Sequence, residues 1–84
     1  MSRYTVVWVP SAERELGEIW LASSDRERVT LASNTIDARL REHTEAMSIE
    51  IAEGLRGLEI APLRILFEVL SNDAMVRILK VKRV

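Results

Sequence analysis

The stretch GLRGLEIAPLRILFEVL, residues 54–70, decides the fold of this chain because it joins two apolar runs through a tight connection. LRGLEI and LRILFEVL are rich in the aliphatic and aromatic side chains that strands favour. The turn sequence SND follows, and AMVRILKVKRV then has the composition of a further strand. Because only a few residues separate the three runs, they predict an antiparallel meander.

Two arginines, Arg56 and Arg64, lie inside this apolar stretch, and strand alternation predicts the face on which each residue lies. A turn centred on Asn72 and Asp73 places Arg64 opposite Val81. One face is then predicted to carry Arg64, Leu66, Glu68, Arg77, Leu79, Val81 and Arg83. The opposite, core face is predicted to carry Leu63, Ile65, Phe67, Val69, Val76 and Ile78, with Lys80 and Lys82 towards its open end.

The arginines are therefore expected outside the core. We predict that Arg56, Arg64 and Arg77 project together from the sheet face that the helices do not cover. Apolar neighbours there would strengthen a contact between a guanidinium group and a phosphate.

The N-terminal half predicts one strand and two helices. RYTVVWV, residues 3–9, is β-branched and aromatic, and Pro10 ends it. The apolar residues of SAERELGEIWLA then repeat at helical spacing, as do those of a second segment that runs to about His43. A short connection makes the two helices an antiparallel hairpin. Gly17 costs the first helix about 1 kcal/mol against alanine, and we expect it to allow close helix packing.

The stretch 44–53, TEAMSIEIAE, is ambiguous, since SIEI alternates like a strand whereas EAMSIEIA could continue a helix. We predict a mostly irregular segment there. The element order is then β-α-α-β-β-β in one domain over residues 1–84. The predicted class is α+β, with the helix hairpin packed on one face of a four-stranded, mainly antiparallel sheet that includes the first strand.

Composition excludes several kinds of site. The chain has no cysteine and one histidine, so disulfides, thiolate metal sites and histidine-based zinc sites are not expected, and we predict no metal and no cofactor. No run of about 18 apolar residues is present, so no membrane segment is expected. The N-terminus lacks the apolar block of a signal peptide, which predicts a cytoplasmic protein.

Charge is unevenly distributed along the chain. Residues 1–53 contain six arginines and ten acidic residues, a net −4, whereas residues 54–84 contain six basic and three acidic residues, a net +3. A basic region attracts phosphate groups or an acidic partner segment. The alternative is a set of solvated charges that protect the sheet edges from aggregation.

Three segments together resemble one protein family. YTVVWVPSAERELGEIW, GLRGLEIAPLRILFEV and VRILKVKR occur in an order and spacing similar to the RelE/ParE superfamily of toxins from bacterial type II toxin–antitoxin modules. The resemblance covers nearly the whole chain. It implies a helix hairpin against an antiparallel sheet, and a cognate antitoxin that wraps the toxin and covers its working surface. A homodimer and a toxin–antitoxin hetero-oligomer both stay open.

The resemblance also implies a site. RelE-like members cleave messenger RNA in the ribosome, where basic strand residues grip the scissile phosphate, and ParE-like members inhibit DNA gyrase. By position, Arg56, Arg64 and Arg77 match the catalytic strand cations of the ribonucleases. Substrate or partner contacts are expected from Lys80, Lys82 and Arg83.

The activity stays open among three classes. Many cleaving members place a tyrosine or histidine beyond the last strand, whereas the only tyrosine here is Tyr4 and the only histidine is His43. His43, Glu50 and Glu53 are candidate proton acceptors, each with solvated surface charge as its alternative. The chain is then a messenger RNA endonuclease, a toxin that binds a protein such as gyrase, or a non-toxic relative that only binds its partner.

Several singled-out residues have purely structural interpretations. Trp8 and Trp20 are typical of core or interface anchors rather than platforms for base stacking. Glu68 and Arg77 form a cross-strand ion pair in the predicted register. Arg56 lies between two glycines and could serve chiefly to reach a loop carbonyl.

Overall fold

Two helices and five strands make up the described part of the chain, residues 3–42 and 48–84 of a computed structural model. In chain order they are β1 (Thr5–Trp8), α1 (Pro10–Ala22), α2 (Arg26–Glu42), β2 (Ile49–Ala52), β3 (Leu55–Ile60), β4 (Leu63–Leu70) and β5 (Met75–Arg83). A single 3₁₀ turn, Ser71–Asp73, joins β4 to β5. None of the helices in these two ranges has the length and apolar character needed to cross a membrane.

The five strands form one sheet in the order β1-β5-β4-β3-β2. β1 pairs with β5 in parallel, and the other neighbours are antiparallel. Because the first strand joins the meander and both helices pack on one face, the predicted α+β class and architecture are confirmed. The chain between the parallel partners β1 and β5 contains the helix hairpin and the other three strands, and so provides the long connection that a parallel pair requires.

The sheet has one more strand than predicted. Within the stretch 44–53, which we predicted to be mostly irregular, residues Ile49–Ala52 form the edge strand β2 and pair with β3. That prediction was wrong for these four residues, because the alternation of SIEI is the signal of a strand after all. Residues 43–47, including His43, lie outside the described residues.

The core lies between the helix hairpin and one face of the sheet. Phe67, Ile36 and Leu40 are its largest members, each no more than 1% exposed. Helix positions at three- and four-residue spacing meet alternate strand positions here, as the sequence pattern predicts. The fully buried set is Ala12, Val29, Ala32, Ile36, Leu40, Leu58, Leu63, Ile65, Phe67, Val76, Ile78 and Val81.

The register of β4 against β5 follows the prediction over the four pairs nearest the turn. Glu68 lies opposite Arg77, and the two form the predicted ion pair at 3.1 Å. A β-bulge then adds one residue, Leu79, to β5. The predicted pairs beyond this point were wrong, because each later residue of β5 is displaced by one position relative to β4.

The bulge exchanges the faces of the four residues that follow it. Arg83, predicted on the sheet face away from the helices, instead lies opposite the core residue Leu63. Val81, predicted on the outer face of the sheet, is 4% exposed and lies in the core. Lys80 and Lys82, predicted at the end of the core face, lie opposite Leu66 and Arg64 on the face turned away from the helices, here called the outer face. A continuous ladder would place Lys80 opposite the core residue Ile65 and turn Val81 outward, so the bulge avoids the cost of burying an ammonium group.

Both tryptophans are anchors within the fold. The Trp8 indole N–H donates to Asp37 of α2 at 3.4 Å, and the Trp20 indole N–H donates to Thr30 at 3.2 Å. The Arg26 guanidinium lies 4.6 Å from the centre of the Trp20 ring and donates to the carbonyl groups of Trp20 and Leu21. The two Arg26 hydrogen bonds satisfy two carbonyl groups in the last turn of α1 and hold the turn between the helices in place.

Gly17 has a different role from the one predicted. A Cβ built at Gly17 has no atom within 4 Å, so the glycine does not permit a close helix contact. It borders an open groove between β1 and the two helices, whose lining includes Trp8 and Trp20.

Replacing Gly17 with alanine should therefore stabilise the isolated chain by about 1 kcal/mol, since the substitution removes backbone entropy from the unfolded state and meets no steric barrier. Urea denaturation followed by circular dichroism measures the change. A midpoint that falls, or one that does not move, would contradict the absence of steric contact at this position.

Candidate functional site

The outer face of the sheet holds an open cleft of about 650 Å³, here called the basic cleft. β2 forms one side of it, and the C-terminal half of β5 forms the other. The outward-facing residues that line it are Ile49, Ile51, Gly57, Glu59, Arg64, Leu66, Lys80 and Lys82, with Glu15 at the end nearest α1. Three cations thus meet two carboxylates and an apolar border.

Strand pairing brings the three cations together. Arg64 and Lys82 are direct cross-strand partners, and Lys80 lies opposite Leu66, two positions along β4 from Arg64. Directly opposite side chains in an antiparallel pair have Cβ atoms about 5 Å apart. The bulge at Leu79 therefore creates the cluster, because without it both lysines would lie on the other face.

Arg64 is paired with Glu59 across β3 and β4. Its Nε and Nη2 atoms donate to the same Glu59 oxygen, Oε1, at 3.1 and 2.8 Å. The two side chains are 57% and 48% exposed, so the pair is in contact with solvent. Glu59 was not among the predicted site residues, although the short connection between the two strands placed it opposite Arg64.

The two lysines have no such partner in the part of the chain that the structure describes. Lys80 and Lys82 are both exposed, and no carboxylate of residues 3–42 or 48–84 lies within ion-pair distance of either ammonium group. Solvated lysines of this kind are available to an incoming anion at little desolvation cost.

The apolar border of the basic cleft comes from β2. Ile49 and Ile51 are 74% and 60% exposed, which is unusual for isoleucine. A Cβ at Gly57 would lie 3.2 Å from the Ile51 side chain, so the glycine lets Ile51 lie close over β3. Sequence reasoning missed both isoleucines because it treated their segment as irregular.

Arg56 is not part of this site. It lies opposite Phe67, a core residue, and therefore projects from the helix-facing side of the sheet. Its guanidinium donates to the Ser48 hydroxyl at 2.6 Å and to the Ser48 carbonyl at 3.3 Å. The prediction that Arg56 joins Arg64 on the outer face was wrong. Its structural alternative, reaching a loop carbonyl, describes one of the contacts that it makes.

Arg77 and Arg83 lie apart from the basic cleft. Arg77 is on the outer face, but its partner Glu68 is four residues along β4 from Arg64, about 13 Å at the rise of a strand. Arg83 lies opposite the core residue Leu63 and borders a shallow groove against α1. The six predicted site residues thus divide into three that meet in the basic cleft and three that lie elsewhere.

The chemistry of the basic cleft is that of anion binding. No tyrosine or histidine is among its lining residues, and no group of three or more potential metal ligands occurs in residues 3–42 and 48–84. Of the candidate proton acceptors, Glu50 lies opposite Arg56 on β3. The cluster can neutralise the charge of a phosphate or of a carboxylate.

Glu15 ties α1 to the strand that carries the lysines. Its Oε1 accepts a hydrogen bond from the Val81 amide at 3.1 Å. β1 ends at Trp8, so no strand reaches this amide, and Val81 is almost fully buried. Glu15 thus satisfies a backbone donor just beyond the bulge.

Replacing Glu15 with leucine should lower the free energy of unfolding by about 1–3 kcal/mol, because it leaves the buried Val81 amide without an acceptor. Glu15→Gln, which keeps an acceptor oxygen, is the matched control and should lose less. Chemical denaturation of the two variants provides the comparison. Equal losses would show that charge, rather than the hydrogen bond, carries the effect.

The fold is similar to that of solved toxin–antitoxin proteins. The toxin–antitoxin complex RelBE2 from Mycobacterium tuberculosis contains a chain that matches with a TM-score of 0.81 at 18% identity, covering 100% of this chain and 94% of that chain. The ParDE system of P. aeruginosa gives 0.72 at 18% identity, with 98% and 97% covered. A mutant of the E. coli toxin RelE in its free state gives 0.69 at 16% identity, with 96% and 83% covered.

These similarities establish the fold. No protein-family model and no curated protein matches the sequence. At these identities the structural matches show that the chain has the RelE/ParE fold, which confirms the resemblance indicated by its sequence segments.

Proposed function

We propose that this chain, which has the fold of the RelE and ParE toxins, is the toxin component of a type II toxin–antitoxin module. Its working surface is the basic cleft. The observation that carries the proposal is the convergence of Arg64, Lys80 and Lys82 on an exposed sheet face. We propose a RelE-like action, in which the cleft binds messenger RNA in the ribosome and promotes its cleavage.

Phosphate chemistry supports this assignment. Attack of an RNA 2′-hydroxyl on the adjacent phosphate builds negative charge on the phosphoryl oxygens, and nearby cations stabilise that charge. The two carboxylates of the cleft are both engaged, Glu59 with Arg64 and Glu15 with the Val81 amide. Charge stabilisation is therefore the contribution that this cleft is best built to make.

A ParE-like action is the second candidate, and the apolar border favours it. Ile49 and Ile51 stand beside the three cations and expose hydrophobic area that a single-stranded RNA backbone does not use. A protein surface with acidic and aliphatic side chains would contact both kinds of residue. In that case the cleft binds a protein target such as DNA gyrase and performs no chemistry.

The proposed partner is a cognate antitoxin. Proteins of this fold occur in solved complexes with antitoxins, including RelBE2 and the E. coli RelBE complex. An antitoxin that neutralises this chain would cover the basic cleft, and acidic side chains would complement its lysines.

A translation assay in bacterial extract, with primer extension on the message and a parallel gyrase supercoiling assay, tests the proposal. Ribosome-dependent cuts that disappear in Lys80→Ala/Lys82→Ala support the RelE-like action. An intact message with blocked supercoiling supports the ParE-like action. Silence in both assays, for a folded protein, rejects the toxin role and leaves a relative that only binds its partner.

A further inference from the structure

We infer that Lys80 and Lys82, rather than Arg64, hold the anion in the basic cleft, and that Glu59 limits anion affinity by neutralising Arg64. This inference rests on the proposed role of the cleft in binding RNA. Strand position alone suggests that Arg64 is the cation that contributes most to anion binding, and this inference assigns that contribution to the two lysines instead. Glu59 becomes a residue that sets how strongly, and how selectively, the cleft binds polyanions.

Arg64 is already paired with a carboxylate in the basic cleft. Two of its guanidinium donors, on Nε and Nη2, are directed to Glu59 Oε1 at 3.1 and 2.8 Å. A guanidinium has five N–H donors, so three are left for a ligand, but the charge that would attract the ligand is already balanced by a carboxylate in contact. A phosphate at Arg64 must either displace Glu59 or bind beside its negative charge.

The two lysines differ from Arg64 because no carboxylate balances their charge in the described part of the chain. Lys80 and Lys82 are on the same face and in the same cleft, and neither forms an ion pair within residues 3–42 and 48–84. Each therefore keeps its own counterions until an anion displaces them. Release of those counterions is the main source of RNA affinity and of its salt dependence.

Salt dependence distinguishes the two kinds of cation. For single strands the logarithm of the binding constant falls with the logarithm of salt concentration by about 0.7 per phosphate neutralised. An arginine whose charge is balanced by Glu59 adds little to this slope. Removing the Glu59 charge should add about 0.7, because Arg64 then holds counterions that RNA releases.

Fluorescence anisotropy with a labelled single-stranded RNA of about 12 nucleotides tests the inference, since single-strand sites span roughly 4–16 nucleotides. Glu59→Gln keeps the acceptor oxygen and removes the charge. We expect it to tighten binding by roughly 3- to 10-fold at low salt and to steepen the slope by about 0.7. The increase in affinity and the steeper slope should both be absent from the double variant Glu59→Gln/Arg64→Ala.

A second ion pair on the same face provides the matched control. Glu68 pairs with Arg77 at 3.1 Å, outside the lining of the basic cleft. Glu68→Gln makes the same change of charge but releases an arginine about 13 Å away along the strand, beyond a Debye length at 0.1 M salt. It should tighten binding by less than about 2-fold.

The outcomes separate this inference from the proposed function. Lys80→Ala and Lys82→Ala should each weaken binding more than Arg64→Ala. If binding depends on the lysines but Glu59→Gln leaves affinity and slope unchanged, the inference is wrong and the RNA-binding role of the cleft stands. If neither the native chain nor Glu59→Gln shows salt-dependent RNA binding, both are wrong.

Discussion

RNA binding and growth inhibition should both be lost when Lys80 and Lys82 are replaced by glutamate. The native lysines lie together on the outer face, opposite Leu66 and Arg64, and no described carboxylate pairs with them. The double substitution removes two phosphate contacts and introduces two charges that repel RNA. At any salt concentration between 0.05 and 0.15 M, the loss of two phosphate contacts alone should weaken binding by roughly 10- to 60-fold. Repulsion between the new carboxylates and RNA should raise the total loss of affinity above about 100-fold.

Anisotropy titration measures the affinity, and growth after induction measures toxicity. Arg14→Glu/Arg28→Glu makes the same change in net charge on exposed helix positions away from the basic cleft, and should preserve most of the binding. Both variants should unfold within about 0.5 kcal/mol of the native chain, since all four positions are exposed. Equal losses in the two variants would mean that net charge, and not the cleft, drives binding.

Replacing Phe67 with alanine should unfold the domain or bring it close to unfolding. Phe67 has no exposed surface and lies in the central part of the sheet, where β4 meets both β3 and β5 beneath the helices. Truncation of a buried phenylalanine costs about 3–5 kcal/mol, through lost transfer free energy and the cavity left behind. Small domains have total stabilities of only about 5–15 kcal/mol.

Urea denaturation and a thermal melt give the loss of stability. Leu31→Ala is the control, because Leu31 is 60% exposed on α2 and its truncation should change the unfolding free energy by less than about 1 kcal/mol. A Phe67→Ala variant with a native melting temperature would refute the position assigned to this side chain at the centre of the core.

Periodicity was sufficient to predict most of the fold. The helices, the meander and the core members Phe67, Ile65 and Ile78 follow from two repeating patterns, and the structure confirms the resulting α+β architecture. The edge strand β2 was missed because four residues with both apolar and acidic members give a weak signal in either period.

The site was harder to predict than the fold because it depends on one inserted residue. Strand alternation places residues correctly only while the ladder is continuous, and the bulge at Leu79 changes the face of every residue after it. The clue was in the sequence: KVK, residues 80–82, fits a half-buried strand only if Val81 faces inward. The short connection between β3 and β4 likewise places Arg56 opposite Phe67, so Arg56 lies on the helix-facing side of the sheet and not on the outer face, where we expected it.

Alternation along β4 and β5 separates two kinds of selective constraint. Inward residues such as Phe67 and Ile78 maintain the interior, whereas their outward neighbours contact one another, solvent or a ligand. The exposed positions can therefore change in evolution almost independently of the buried ones. A few substitutions on two adjacent strands are then enough for one scaffold to acquire a new target.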